Sequence, residues 1–294
     1  MITVMGATGN TGKKITEALR SAGEQVRALS RSEKKLAELK RAGAEVLVGD
    51  TNDAVFLTKA FRGADAVYTL LPTDRRAPDY RAEQDRQGEA IVKAIRESGI
   101  RYVVALSSFG ADLPEGTGVI AGLHAQEERL KQLKGVNVLL LRPVSFFENF
   151  HEVLGLIKHE GINGDSVAAG LAVPMVATRD IADAAAKALK ARDWKGVAVR
   201  ELLGPRDLSY AEATHILGER IGQPQLQYVQ FSYTDEARAL VQAGMSESFA
   251  SLYVEMTRGF NEGRLKPRSR TTENTTPTRF EDFAGELAQA YAAA

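Results

Sequence analysis

The chain has 294 residues, 44% hydrophobic and 26% charged, enough for one large α/β domain or a core with a smaller cap. Lys plus Arg and Asp plus Glu both number 38, so the formal charge is zero and a surface built to grip nucleic-acid phosphates is disfavoured. The lack of cysteine excludes disulfides and thiolate metal sites and fits a cytoplasmic protein, while no apolar run approaches a membrane span and the first one reads as a strand, not a signal peptide.

Residues 2–5 are an apolar run of strand length. They enter Gly6-Ala7-Thr8-Gly9-Asn10-Thr11-Gly12, and a helical pattern follows at Ile15, Ala18 and Leu19. A strand, a glycine turn and a helix N-terminus in that order make an anion site, because free N–H groups and the positive helix end face whatever lies over the turn. Gly6 permits the tight turn, Gly9 lets the backbone approach a pyrophosphate, and Gly12 packs the helix on the strand. Gly6, Thr8, Gly9, Asn10, Thr11 and Gly12 are therefore candidate cofactor contacts. Residues 25–30 form the second strand, which ends where a dinucleotide fold meets the adenosine ribose. A site for NAD places Asp or Glu there. Here stand Ser30-Arg31-Ser32, with no carboxylate before Glu33. An acid would repel a 2′-phosphate, whereas the Arg31 fork can clamp one, so the expected cofactor is NADP(H).

Strand and helix patterns then alternate. A helix over 34–42 is followed by a strand over 45–48 ending in Gly49-Asp50-Thr51. A helix over 53–61 precedes a strand over 66–71 that runs into Pro72-Thr73. The helix over 79–98 leads to the strand over 102–106, which delivers Ser107, Ser108 and Phe109 to the same rim. A loop over 110–118 and a helix over 119–134 precede the sixth strand, 136–141, which runs into Arg142-Pro143 and the cluster Phe146-Phe147-Glu148-Asn149-Phe150. This alternation predicts βαβ units and a doubly wound parallel sheet of the Rossmann type. Ligands of such sheets lie beyond the carboxyl ends of the strands, which makes Asp50, Thr51, Leu71, Pro72 and Thr73 candidate wall residues by position.

The second half reads as a smaller mixed cap, so residues 1–150 form the expected dinucleotide-binding core and 151–294 an interleaved cap region. Residues 158–170 are a Gly- and Asn-containing loop that could serve as a lid. A helix over 178–190 has Thr178 as its expected N-cap and Asp180 in its first turn. Further strands are expected over 197–203 and 225–230, and helices over 209–221, 233–243, 246–260 and 280–291. Residues 264–279 carry Arg264, Lys266, Arg268, Arg270 and Arg279 against the single acid Glu273, either a partner-recruiting segment or a solvated loop. His124, His151, His159 and His215 lack metal-ligand spacing, so no metal is expected.

Several stretches resemble the NmrA-like branch of the atypical short-chain dehydrogenase/reductases. They are GATGNTG, Ser-Ser-Phe-Gly after the YVVAL strand, LLLRP followed by FFENF, Val176-Ala177-Thr178-Arg179-Asp180-Ile181-Ala182, Leu202-Leu203-Gly204-Pro205 and the late TTPTRFEDFA. The resemblance implies a Rossmann core whose small C-terminal part covers a substrate cleft. It places Pro143, Phe146, Phe147 and Asn149 beside the nicotinamide, and with Phe109 these give the candidate substrate contacts, two phenylalanines forming an aromatic wall for a flat acceptor.

The wider superfamily uses Ser, Tyr and Lys, with Tyr-x-x-x-Lys on the helix after strand five. None of the eight tyrosines here has Lys four positions later. Ile120 stands at the tyrosine position and His124 at the lysine position, so tyrosine-dependent carbonyl reduction is not expected. His124 with Glu128 is similar to the quinone oxidoreductase and triphenylmethane dye reductase members of the branch. Their acceptors take hydride readily, so placement can supply most of the catalysis. His124 is then a candidate proton donor or cofactor contact, unless it is only an i,i+4 pair with Glu128. Ser107 and Ser108 occupy the place of the superfamily serine. Two functions follow: an NADP(H)-dependent reductase of a quinone or related conjugated acceptor, or a non-catalytic dinucleotide sensor that regulates a partner protein. The expected partner is a small-molecule acceptor, with a regulatory protein or a second copy of the chain as further candidates; neither nucleic acid nor a membrane is expected.

Overall fold

The computed structural model describes residues 1–72 and 74–293. Thr73, expected on the cofactor wall, and Ala294 lie outside the described residues. The first half runs β1 (Ile2–Val4), α1 (Gly12–Ser21), β2 (Val26–Ser30), α2 (Glu33–Arg41), β3 (Glu45–Val48), α3 (Ala54–Phe61), β4 (Ala66–Thr69), α4 (Tyr80–Ser98), β5 (Tyr102–Leu106), α5 (Ala121–Lys131) and β6 (Asn137–Pro143). The second half runs β7 (Ser145–Phe146), α6 (Phe150–Glu160), β8 (Ile162–Asp165), β9 (Val173–Val176), α7 (Thr178–Ala191), β10 (Val197–Leu202), β11 (Asp207–Leu208), α8 (Tyr210–Arg220), β12 (Gln227–Gln230), α9 (Tyr233–Gln242), α10 (Glu247–Asn261) and α11 (Phe280–Ala293).

Seven strands pair in the order β10-β6-β5-β4-β1-β2-β3, and every pair is parallel. Every residue of β1 and β4 is buried, as a sheet covered by helices on both faces requires. At the edge, β3 exposes Glu45, which pairs with Arg27 at 2.9 Å. On one face, Ile15 and Leu19 of α1 pack with Ile181 and Leu189 of α7 against Val4 and Val104. On the other, Leu57, Ile91 and Leu130 of α3, α4 and α5 pack against Met5, Val67 and Val103. The order reverses between β1 and β4, which opens a crevice at the carboxyl ends of the strands. The expected Rossmann sheet is present, and β10 from the second half completes it beside β6.

Six helix starts are set by a local oxygen: Ser32, Asp53, Asp79, Ser209, Ser232 and Ser246 each accept from a first-turn N–H. Thr178 does not cap α7 as expected. Ala177 precedes the helix, and the Thr178 amide donates to both Glu148 oxygens at 3.1 and 3.0 Å, so an acid from another segment satisfies the helix start. The Lys14 ammonium joins the same carboxylate at 3.3 Å and ties α1 to α7.

The expected lid loop over 158–170 is largely ordered structure. Helix α6 extends to Glu160, Gly161 ends it with φ +69°, and Ile162–Asp165 is a strand paired in parallel with β12. The INGD stretch carries no alternating apolar pattern, so its pairing comes from tertiary contacts: Asn163 is buried and donates to Thr214 at 2.8 Å, and Gly164 lies under the Phe231 ring. A three-stranded sheet, β11-β9-β7, joins this part to the core. Helix α10 crosses close to the loop after β5; a Cβ on Gly118 would lie 1.8 Å from the Leu252 carbonyl oxygen, so only glycine admits that approach. The basic connector is stapled down, with the Leu203 amide donating to the Asn274 carbonyl and the Thr276 amide to the Leu203 carbonyl, Arg270 donating to Asp207 and to the Gly204 carbonyl, and the Arg268 amide donating to Glu201 at 2.7 Å. Among the described residues no helix is long and apolar enough to cross a membrane.

Candidate active site

The glycine turn takes its shape from three constraints. Gly6 sits at φ +61°, and its carbonyl accepts from the Gly9 amide at 2.9 Å. A Cβ on Gly12 would lie 2.3 Å from the Gly6 carbonyl oxygen, so α1 approaches β1 as closely as glycine allows. Tyr68 of β4, fully buried, donates to the Thr11 hydroxyl at 3.0 Å and fixes the turn from beneath. Burial pushes the Tyr68 phenol up, so it stays a donor. Thr11 places no side chain over the α1 amides, unlike the caps of the six helices above. The start of α1 thus presents backbone donors to the crevice.

Beside it, the Thr8 and Ser30 hydroxyls meet at 2.9 Å, and the Ser32 amide donates to Ser30 Oγ at 3.3 Å. This folds the end of β2 so that Arg31 is exposed, and among the described residues it makes no ion pair. Asp50 accepts from the Asn52 amide at 3.0 Å, and Thr51 is buried next to it.

A cavity of about 400 Å³ opens over the crevice. Gly6, Gly9, Asn10 and Thr11 line it from the turn, Leu71 from the end of β4, and Ser107, Ser108 and Phe109 from the end of β5. Pro143, Phe146 and Asn149 line it after β6. Thr8, Gly12, Arg31, Asp50, Thr51 and Pro72 are not among the residues lining that cavity. Phe147 is not a wall residue as expected. It is 1% exposed and packs on Phe280 and Phe283 at ring distances of 5.1 and 5.6 Å. Phe146 ends β7 in extended backbone and Phe147 opens a short 3-10 turn, so the chain changes direction between them and Phe146 takes the cavity while Phe147 takes the core.

Two expected catalytic residues have committed partners. His124 Nδ1 is 2.8 Å from the Ala111 carbonyl oxygen, which can only accept, so the ring donates there and holds the loop after β5. The imidazole is not among the cavity-lining side chains, and Glu128 pairs with Lys131 at 2.6 Å. The Lys131 ammonium holds the Glu128 carboxyl below its usual range. The Ser107 hydroxyl donates to Glu127 Oε1 at 2.6 Å. Glu127 is 1% exposed and receives a fork from Arg142, Nε at 2.8 Å and Nη2 at 2.6 Å. With its hydrogen given to a carboxylate, Ser107 Oγ can only accept from the cavity side. Sequence reasoning missed this pair, although an arginine at the end of the apolar run VNVLLLRP was the signal that a buried partner must exist.

The cap closes the far side with Tyr210, Phe249, Tyr253, Met256 and Phe260. Behind them lie Asp165 and Glu236, and the Tyr253 hydroxyl donates to Asp165 Oδ2 at 2.7 Å. Burial pushes both carboxyls up, Glu236 to about 8 with the charge of Asp165 as a second cause. Arg75 is the one cation on the described lining, and it makes two bonds to Glu152 at 2.5 and 2.9 Å.

A sequence model of the NmrA-like family matches residues 1–284. The chain is 29% identical over 299 residues to a (4-alkanoyl-5-oxo-2,5-dihydrofuran-3-yl)methyl phosphate reductase of Streptomyces griseus, covering 99% of each. Among solved structures, it is similar to the NADPH-dependent quinone oxidoreductase QOR2 of Escherichia coli complexed with NADPH (TM-score 0.82, 24% identity, 98% of this chain and 99% of that one). It is also similar to the Citrobacter sp. triphenylmethane reductase complexed with NADP(H) (TM-score 0.81, 23% identity, 98% and 100%).

Proposed function

The chain belongs to the NmrA-like family, and we propose that it is an NADPH-dependent reductase that transfers hydride to a quinone or a similar conjugated acceptor. One observation carries the reading: a single cavity joins the amides of the glycine turn to an aromatic cap. The residues at its first end fit a dinucleotide, since the start of α1 is uncapped and Gly12 leaves no room for a side chain. In this reading the Gly9 to Gly12 backbone holds the pyrophosphate, with Thr8 beside it, and Arg31 takes the 2′-phosphate. Asp50, Thr51, Leu71 and Pro72 flank the cofactor, and Ser107 Oγ accepts from the carboxamide next to Pro143. When bound, NADPH supplies the hydride.

The protein's own task is placement. Phe109 and Phe146 offer flat apolar faces, and Asn149 offers a polar group at the same wall. An acceptor that is already electrophilic needs little beyond such positioning and the exclusion of water. The Streptomyces relative and the two structural neighbours are reductases, which supports the same chemistry class here. Stopped-flow mixing of the NADPH-loaded protein with a panel of quinones tests the proposal. Oxidation faster than that of free NADPH is expected for at least one of them. Tight dinucleotide binding with no acceleration for any acceptor would sink the reductase reading and favour a redox sensor.

A further inference from the structure

Hydride transfer to a neutral quinone leaves an oxyanion that takes up a proton, which a donor in the cavity can supply. The two candidates from the sequence are spoken for: Ser107 gives its hydrogen to Glu127, and His124 gives its Nδ1 hydrogen to Ala111 outside the cavity lining. On the cap side, Tyr253 of α10 lines the cavity while its hydroxyl reaches Asp165. Asp165 ends β8, whose parallel partner β12 carries Tyr228; the Tyr228 hydroxyl is shared between the carbonyl oxygens of Asp165 and Val167 at 3.0 and 2.7 Å. Tyr210 of α8 also lines the cavity, meets the Tyr228 ring at a tilt with centroids 5.6 Å apart, and accepts from Ser145. Glu236 of α9 is 7% exposed, accepts from the Ser166 amide, and has a buried Oε2 without a partner among the described residues. The groups facing Asp165 are thus three phenols, a second carboxyl and the backbone amides of Ser166 and Val167, the latter donating to Oδ1 at 2.9 Å. The glycine at position 118 that lets α10 lie against the loop after β5 sets Tyr253 over the cavity.

Resting on the reductase reading, we propose that Tyr253 is the proton donor of this site and that Asp165 restores its proton. The Tyr253 O–H bond breaks as its hydrogen passes to the oxygen of the reduced acceptor, and in the same motion the neutral Asp165 carboxyl gives its proton to the phenol oxygen, so no phenolate is left at this buried position. Asp165 becomes a carboxylate and afterwards takes a proton from water. One hydride and one proton enter the acceptor, and the cofactor is oxidised. Burial raises the carboxyls of both Asp165 and Glu236, which shifts Asp165 toward its acid form. While Asp165 is ionised, it ties up the phenol hydrogen; once neutral, it donates to the phenol oxygen and frees that hydrogen for the cavity. Proton delivery is therefore present at low pH and lost as pH rises through the titration of the acid pair.

A cationic triarylmethyl dye separates proton transfer from placement, because it becomes neutral on taking hydride and needs no proton. NADPH-loaded wild type, Tyr253→Phe and Asp165→Asn are mixed in single turnovers with a naphthoquinone and with such a dye, and NADPH affinity is read by fluorescence titration. Tyr253→Phe is expected to slow the quinone about 100-fold, with the dye and NADPH affinity unchanged within about twofold. Asp165→Asn is expected to slow the quinone less and to flatten its pH profile. Proton uptake, followed with a pH-indicator dye, should keep phase with NADPH oxidation in wild type and lag behind it in Tyr253→Phe. Equal slowing of both acceptors, an unchanged quinone rate, uptake that never lags, or a wild type that reduces only the dye would each overturn the assignment. A wild type that oxidises NADPH with neither acceptor would instead remove the reductase reading, and this assignment with it.

Discussion

The glycine turn and the cap meet across one cavity, yet they are built from different materials. The turn works through backbone amides, held by residues close in sequence and by one buried phenol, Tyr68. The cap end works through side chains, with Asp165, Tyr210, Tyr228, Glu236 and Tyr253 arriving from five elements. Backbone donors carry no titration, so the turn presents the same surface at any pH. Buried carboxyls and phenols do titrate, so the cap can deliver and reclaim protons. The contrast implies that mutations at the turn act on shape and affinity, and mutations at the cap on protonation.

Between the two ends lies the ion pair that fixes Ser107, and its removal should have the largest effect. Arg142→Met takes the guanidinium fork from a Glu127 carboxylate 1% exposed and leaves it the Ser107 hydroxyl and the Lys131 ammonium at 3.8 Å. A loss of about 4 kcal/mol in urea unfolding is expected, most of it regained when Glu127→Gln is added. A single-mutant loss below about 1 kcal/mol would mean the pair is not held as described. Next comes Gly12→Ala, whose Cβ meets backbone atoms of Gly6 that cannot swing aside. A loss of about 3 kcal/mol is expected, together with abolished dinucleotide binding measured by titration. Retained affinity would show that the turn is not the cradle.

How much of this was legible follows the same division. The turn could be read because its strand, glycines and helix lie within a few turns of chain, where local geometry alone decides the outcome. The alternation that predicts the parallel sheet was equally readable, and β10 closes it where an apolar run stood. The cap could not be read in this way. INGD becomes a strand only through β12, and Tyr253 meets Asp165 across 88 residues. Phe147 shows a further limit: adjacent phenylalanines gave one expectation, but the backbone sends them to opposite sides. Glu127 stands between His124 and Glu128 in the sequence, and its role becomes visible only when Arg142 is placed beside it.

Arg31 sharpens the turn side of the comparison, because it is exposed at the end of β2 with no acid to hold it among the described residues. Arg31→Ala should weaken NADPH binding about 30-fold, on the order of 2 kcal/mol for a charged hydrogen bond to phosphate, and leave NADH nearly unchanged. Competition titrations with both dinucleotides decide it; equal losses would remove the 2′-phosphate contact.

The smallest effect probes the cap through pH. Glu236 has an ordinary carboxyl value near 4.5 when unfolded and is pushed up to about 8 in the fold, by burial first and the charge of Asp165 second. A raised folded value means the native state holds a proton that the unfolded chain releases. The corresponding stability is complete below pH 4.5 and is lost as pH rises through about 8. Glu236→Gln keeps the shape and cannot ionise, so its stability should match wild type at about pH 4.5 and exceed it at about pH 9. The gain should be about 1 kcal/mol, less than the full shift, because the buried Asp165 is itself raised and each carboxyl relieves the other when it is neutral. The same substitution should leave dinucleotide affinity untouched, since no part of the glycine turn meets Glu236. If thermal unfolding of the variant runs parallel to wild type from about pH 5 to 9, the acid pair does not hold a proton, and the cap is no more sensitive to pH than the turn.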